Sequence, residues 1–105
     1  ASYDVRATCG KVVAATEGLA AQKGLAFVAE IDPDMGEIIG DELRVTQVMI
    51  NLVGNAIKFT SAGTITFVAR RETDTIVIEA GHSSYTGFKS TQAQFVYRTT
   101  REGVQ

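Results

Sequence analysis

The spacing of apolar residues shifts along the chain between a helical and a strand period, and each shift marks an element. In "DVRATCGKVVAATEGLAAQKG", Val5, Cys9, Val12, Val13, Thr16, Leu19 and Ala20 recur at helical spacing. Asp4 stands where a cap belongs and Gly24 where a helix stops, so an amphipathic helix of about four turns is predicted. "LAFVAEID" alternates instead, with Leu25, Phe27, Ala29 and Ile31 on one side, which predicts a strand buried mainly on one face. The sole proline, in "DPDMG", closes it with a turn. Asp41 then opens a second helix whose buried stripe runs through Val45, Val48, Met49, Leu52, Val53 and Ala56 and ends at "SAG". Two alternating runs follow, "TITFVAR" and "TIVIEA", separated by the polar residues Arg71 to Asp74, a connection of hairpin length. Helix, strand, helix and hairpin together predict an α+β fold: a two-layer α/β sandwich with both helices on one face of a mixed sheet.

After Ala80 the pattern changes. "GHSSYTGFKSTQAQFVYRTTREGVQ" is rich in Ser, Thr, Gly and Gln and has no clear helical period, which divides the chain into a core at 1–80 and a divergent tail at 81–105. Within the tail "AQFVYRTT" has strand propensity and the last few residues are expected to fray. No internal repeat or linker argues for a second domain, and 105 residues suit one compact unit.

Charge narrows the choice of partners. A formal net charge of -2 gives no electrostatic footprint for nucleic acid or an anionic membrane, so any phosphate must be held locally. The lone Cys9 excludes an internal disulfide, falls on the apolar face of the first helix and leans toward a reducing compartment. With no apolar run long enough to span a bilayer and no signal-like start, a cytoplasmic domain is expected, any membrane anchor lying elsewhere in a longer parent. His82, the only histidine, is expected to be an ordinary loop residue. One His and one Cys far apart in sequence make no credible metal set, and "SSYTG" lacks the lysine and spacing of a P-loop.

The second helix carries the chemistry. At about 100° per residue, Arg44, Gln47, Asn51, Asn55 and Lys58 fall within an arc of roughly 80°. Two mid-helix asparagines are poor choices for propensity and bring no solubilising charge. An Asn carbonyl is a ligand for a hard cation such as magnesium, and a lysine one turn on is a point charge for a phosphate. A solvated face is the ordinary explanation of such a stripe, and spacing alone leaves both open.

"GDELRVTQVMINLVGNAIKFTSAGTI" closely resembles the N box of sensor histidine kinases, in the GHKL group of ATPases and kinases that share the Bergerat ATP-binding fold. The resemblance rests on Asp41, Arg44, Gln47, Asn51, Asn55, Ala56, Lys58, Phe59, Thr60 and Gly63, and a looser similarity extends it over residues 3 to 79. It implies a Bergerat-type domain that binds ATP with Mg2+ and presents the γ-phosphate to a histidine on a separate dimerisation domain, upstream of a response regulator. It implies further that Asn55 holds magnesium, that Lys58 contacts phosphate and that Asn51 lines the reacting side as the catalytic position. Related ATPases place a glutamate four residues before the metal-binding asparagine to activate water. A neutral amide at Asn51 is a poor base, so phosphotransfer fits better than hydrolysis.

The likeness weakens at the second hairpin strand, where such kinases carry Asp-x-Gly-x-Gly to bind adenine and this chain has "EAGHS". Aligned simply, Glu79 takes the adenine-binding aspartate position, Gly81 keeps the first glycine and Ser83 replaces the second. The extra methylene of Glu79 displaces the carboxylate by more than a hydrogen bond tolerates without rearrangement. The later glycine-rich box, near G-x-G-L-G, is absent together with the helix and strands that follow it. A domain truncated there is expected to leave a sheet edge and apolar surface uncovered, to be filled by "AQFVYRTT" folding back as a strand or by a second copy in a homodimer. A non-native tail also fits the abrupt change after Glu79. Two classes of function follow: the ATP-binding catalytic domain, or a fragment of one, of a two-component histidine kinase, inactive alone; or a degenerate GHKL-fold interaction or dimerisation module that binds no nucleotide. The intact N box supports the first, "EAGHS" the second.

Overall fold

Asp4 both ends the first strand and caps the first helix, so the chain turns from sheet to helix without a loop. In the computed structural model, which describes residues 2–72, 75–83 and 89–98 and side chains as far as Gly81, β1 (Ser2–Asp4) runs directly into α1 (Val5–Gln22). The Asp4 carboxylate accepts hydrogen bonds from the backbone N–H groups of Arg6 at 2.9 Å and Ala7 at 3.3 Å, a cap of the kind that contributes about 1 kcal/mol. Gly24, at φ 74, takes the left-handed conformation that ends α1. The chain continues through β2 (Ala26–Ile31), β3 (Glu37–Ile39), α2 (Glu42–Lys58), β4 (Thr64–Glu72), β5 (Thr75–Ser83) and β6 (Lys89–Arg98).

Four strands form the main sheet in the order β2-β4-β5-β6, and β1 and β3 make a separate two-stranded ribbon. β2 and β4 are parallel, Phe27 opposite Ile65 and Ile31 opposite Ala69, with α2 as the crossover that parallel neighbours require. β4 and β5 form the expected hairpin, paired from Glu72↔Thr75 to Thr64↔Ser83. β6 adds antiparallel to β5 and contains "AQFVYR", so the backbone there extends the sheet as a further strand. The fraying expected of the last few residues lies outside the described residues.

One face of the sheet carries the core. Ile65, Phe67 and Ala69 of β4 and Ile76, Ile78 and Ala80 of β5 alternate inward and meet Val5, Cys9 and Val12 of α1 and Met49, Val53 and Ala56 of α2. This is the two-layer α+β arrangement read from the periods, with the helices on one side of a mixed sheet. The ribbon was not legible: strands of three residues have too little length to display a period. The segment between β2 and β3 is pinned to β4, since Asp32 accepts the Arg71 backbone N–H at 3.0 Å and the Arg71 guanidinium donates to the Met35 carbonyl at 2.9 Å.

The two helices run in the same direction and are tied at both ends. At their N-terminal ends Thr8 Oγ1 at 2.7 Å and Lys11 Nζ at 3.2 Å donate to the Glu42 carboxylate. At their C-terminal ends Lys23 Nζ donates to the Ile57 carbonyl at 2.8 Å and the Lys58 carbonyl at 3.2 Å.

Candidate functional site

The rotation of α2 about its axis decides what its polar stripe can do, and the core sets that rotation. Asp41 caps the helix by accepting the Arg44 backbone N–H at 3.2 Å, and Val45, Met49, Val53, Ala56 and Ile57 are buried beneath it. With that row inward, Arg44, Gln47, Asn51, Asn55 and Lys58 all lie exposed along one face. The structure therefore brings the predicted stripe residues together. Among the described residues, none engages the Asn51 or Asn55 side chain. The Lys58 ammonium lies 5.5 Å from the centroid of the Phe59 ring, itself 71% exposed, a cation–π contact at the end of the helix. Just beyond, Thr60 is buried and its hydroxyl has no hydrogen-bond partner among the described residues.

The stripe forms an open face. Asn51, Asn55 and Lys58 are all exposed and no described residue hydrogen-bonds across them.

Glu79 lies on the other side of the sheet from the α2 stripe. Strand parity gives the reason: with Ile76, Ile78 and Ala80 turned toward the helices, residue 79 must turn to the opposite face of the sheet. There its carboxylate accepts a hydrogen bond from Arg70 Nη1 at 2.9 Å. Glu79 first and Glu72 second raise the Arg70 pKa further above its ordinary range, so the guanidinium stays charged. Gly81 is buried in the sheet, opposite Thr66 on β4 and next to a register shift in the pairing with β6. His82, expected in a loop, falls within β5 opposite Ile65, because the hairpin pairing runs on past Ala80; its side chain, like that of Ser83, lies outside the described residues.

The donor chemistry suits a magnesium ion that arrives with its own phosphate ligands. Among the described residues no group of three or more His, Cys, Asp or Glu side chains could hold a metal alone. Magnesium favours few protein ligands, hard oxygens and retained water or phosphate oxygens, and the exposed Asn55 amide could offer one such oxygen. Sequence reasoning missed the contact of Lys23 with the end of α2, because it spans 34 residues and leaves no local signature. Two features that could have been read were the lysine after α1 and the lack of a glycine directly after Lys58.

No protein-family profile matches the chain. It is 39% identical over 70 residues to the signal transduction histidine-protein kinase BarA of Escherichia coli K12, a match covering 66% of this chain and 8% of BarA. The fold resembles full-length ShkA, crystallised with AMPPNP, with a TM-score of 0.72, 25% identity, and coverage of 80% of this chain and 18% of ShkA. It also resembles the histidine kinase ThkA, crystallised with the response regulator protein TrrA, with a TM-score of 0.70, 24% identity, and coverage of 79% and 25%. The chain thus spans a small fraction of the length of the relatives it matches.

Proposed function

We propose, from the premise that this chain is homologous in sequence and fold to the catalytic domains of histidine kinases, that its α2 face binds magnesium-ATP for transfer of the γ-phosphate to a histidine on another domain. The observation that carries this is the row of Asn51, Asn55 and Lys58, exposed together and with both amides unengaged by described residues. Asn55 is the residue to hold magnesium through its amide oxygen, and Lys58 the point charge for a phosphate. Bound magnesium supplies charge neutralisation across the phosphate oxygens. Asn51 holds the reacting side and, as a neutral amide, takes no proton from water, which favours phosphotransfer over hydrolysis. The acceptor is a histidine-bearing dimerisation domain, with a response regulator downstream. No helix among the described residues is long and apolar enough to cross a membrane. A domain that uses ATP belongs on the cytoplasmic side.

A second class of function is favoured by Glu79, whose carboxylate is committed to Arg70 on the far face of the sheet. A fold that keeps the α2 face but lacks this adenine contact suits a protein-interaction or dimerisation module. The deciding measurement is a calorimetric ATP titration with and without magnesium, repeated on Asn55→Asp and Lys58→Ala. Saturable, magnesium-dependent binding that either substitution weakens supports the nucleotide site. No saturation at millimolar ATP assigns the chain to the interaction class.

A further inference from the structure

The end of α2 is built without the usual terminal device. The helix stops at Lys58 with Phe59 as its C-cap at φ -98, and the nearest following glycine with positive φ is Gly63. The last carbonyls of a helix have no partner within it and need donors from elsewhere. Two come from the chain itself, Phe59 N–H to the Asn55 carbonyl at 3.1 Å and Thr60 N–H to the Ile57 carbonyl at 3.3 Å. The others come from Lys23, the C-cap residue of α1, whose ammonium reaches the carbonyls of Ile57 and Lys58 together. A positive charge at this point also faces the negative end of the α2 dipole.

We infer that Lys23 is a positioning residue for the phosphate-facing end of α2, acting through the backbone of the turn that carries Asn55 and Lys58. The inference deepens the nucleotide-site proposal and rests on it. Lys23 is bonded to the main chain of Lys58 itself, so the two lysines divide the work: one fixes the turn, the other extends from it. The Lys23 ammonium, with two carbonyls to satisfy, is a holder of backbone, whereas the Lys58 ammonium, resting on a phenyl face, is free to exchange that contact for a phosphate. Releasing the clamp frays the last turn and changes the angle between the Asn55 amide and the Lys58 ammonium. The core beneath is untouched, because Ala56 and Ile57 remain packed against the sheet side of the helix.

The test uses this chain with Lys23→Met, which keeps an apolar stem and removes the donors, and Lys23→Arg, which restores donors and charge. Magnesium-ATP affinity is measured by displacement of a fluorescent ATP analogue, amide hydrogen exchange is followed along α1 and α2, and melting is recorded without nucleotide. Lys23→Met is expected to weaken magnesium-ATP about tenfold or more, the usual scale for a group that orients a ligand. It is expected to speed exchange at Phe59 and Thr60 while leaving the middle of α1 protected, and Lys23→Arg is expected to recover most of the affinity. If the unaltered chain binds magnesium-ATP and Lys23→Met binds it equally well, the positioning role is overturned and the nucleotide site stands. Exchange that rises equally throughout both helices, with no rescue by arginine, overturns it as well, since that is general loss of stability. An unaltered chain that does not bind magnesium-ATP removes the nucleotide site, and the positioning role with it.

Discussion

Lys58→Ala separates a site residue from a structural one, because the structure bounds both effects. The side chain is exposed and, among the described residues, contacts the Phe59 ring at 5.5 Å. A cation–π contact at an exposed position is worth about 0.5–1 kcal/mol. A positive charge in the last turn of a helix contributes about 0.3–1 kcal/mol, and alanine returns a few tenths through its helix propensity. The sum is a loss of about 1 kcal/mol, a fall in melting temperature of about 4–6 °C for a domain of this size. The effect on a bound phosphate is larger, since a hydrogen bond to a charged group is worth about 1.5–3 kcal/mol, or roughly ten- to a hundredfold in Kd. Calorimetric titration with magnesium-ATP reads the second quantity and thermal melting without nucleotide reads the first. Unchanged affinity, or a stability loss well beyond about 2 kcal/mol in the absence of ligand, refutes the assignment of Lys58 to a phosphate.

Three further outcomes follow from the structure. The Thr8 hydroxyl first and the Lys11 ammonium second hold the Glu42 carboxyl below its ordinary value of 4.5, so the folded protein takes up this proton less readily than the unfolded chain. The stabilisation is whole above the ordinary value and is lost as pH falls through the lower folded one; the melting temperature of the unaltered protein should decline more steeply below pH 4.5 than that of Glu42→Gln, and equal slopes count against the tie. Burial pushes the Cys9 thiol up to about 11, so at pH 8 a disulfide reagent should label it only as fast as the protein opens, and labelling at the rate of a free thiol would place Cys9 outside the core. Gly54 sits inside α2 where an added Cβ meets nothing within 4 Å, so Gly54→Ala should stabilise the protein by about 0.5–1 kcal/mol in urea melts, and a net loss would contradict the open space around it.

Both helices and the β4–β5 hairpin were legible because each runs long enough for its period to repeat, and Asp4 and Asp41 cap where the pattern placed them. The parallel pairing of β2 with β4 was not legible, since the partner of a strand depends on where α2 carries the chain. β6 begins at Lys89, earlier than the apolar pattern of "AQFVYRTT" suggests, because pairing with β5 recruits polar residues that propensity alone would leave in a loop. The α2 stripe was legible in full as a face, because all five of its residues belong to one helix. Counting along the motif puts Glu79 at the adenine position, and the alternation Ile76, Ile78, Ala80 in the same strand turns residue 79 away from the helices, because strand parity is enforced by buried area.

The rotational setting of α2 acts as a lock. Turning the helix far enough to hide its two amides would bring Met49 and Val53 into water, at about 1.5–3 kcal/mol for each side chain. Solvation of two neutral amides is lost, not gained, in that turn. Their outward aim is therefore a by-product of oil filling the space below, settled during folding and independent of any visitor, so any ligand of that face would spend little binding energy on arranging them.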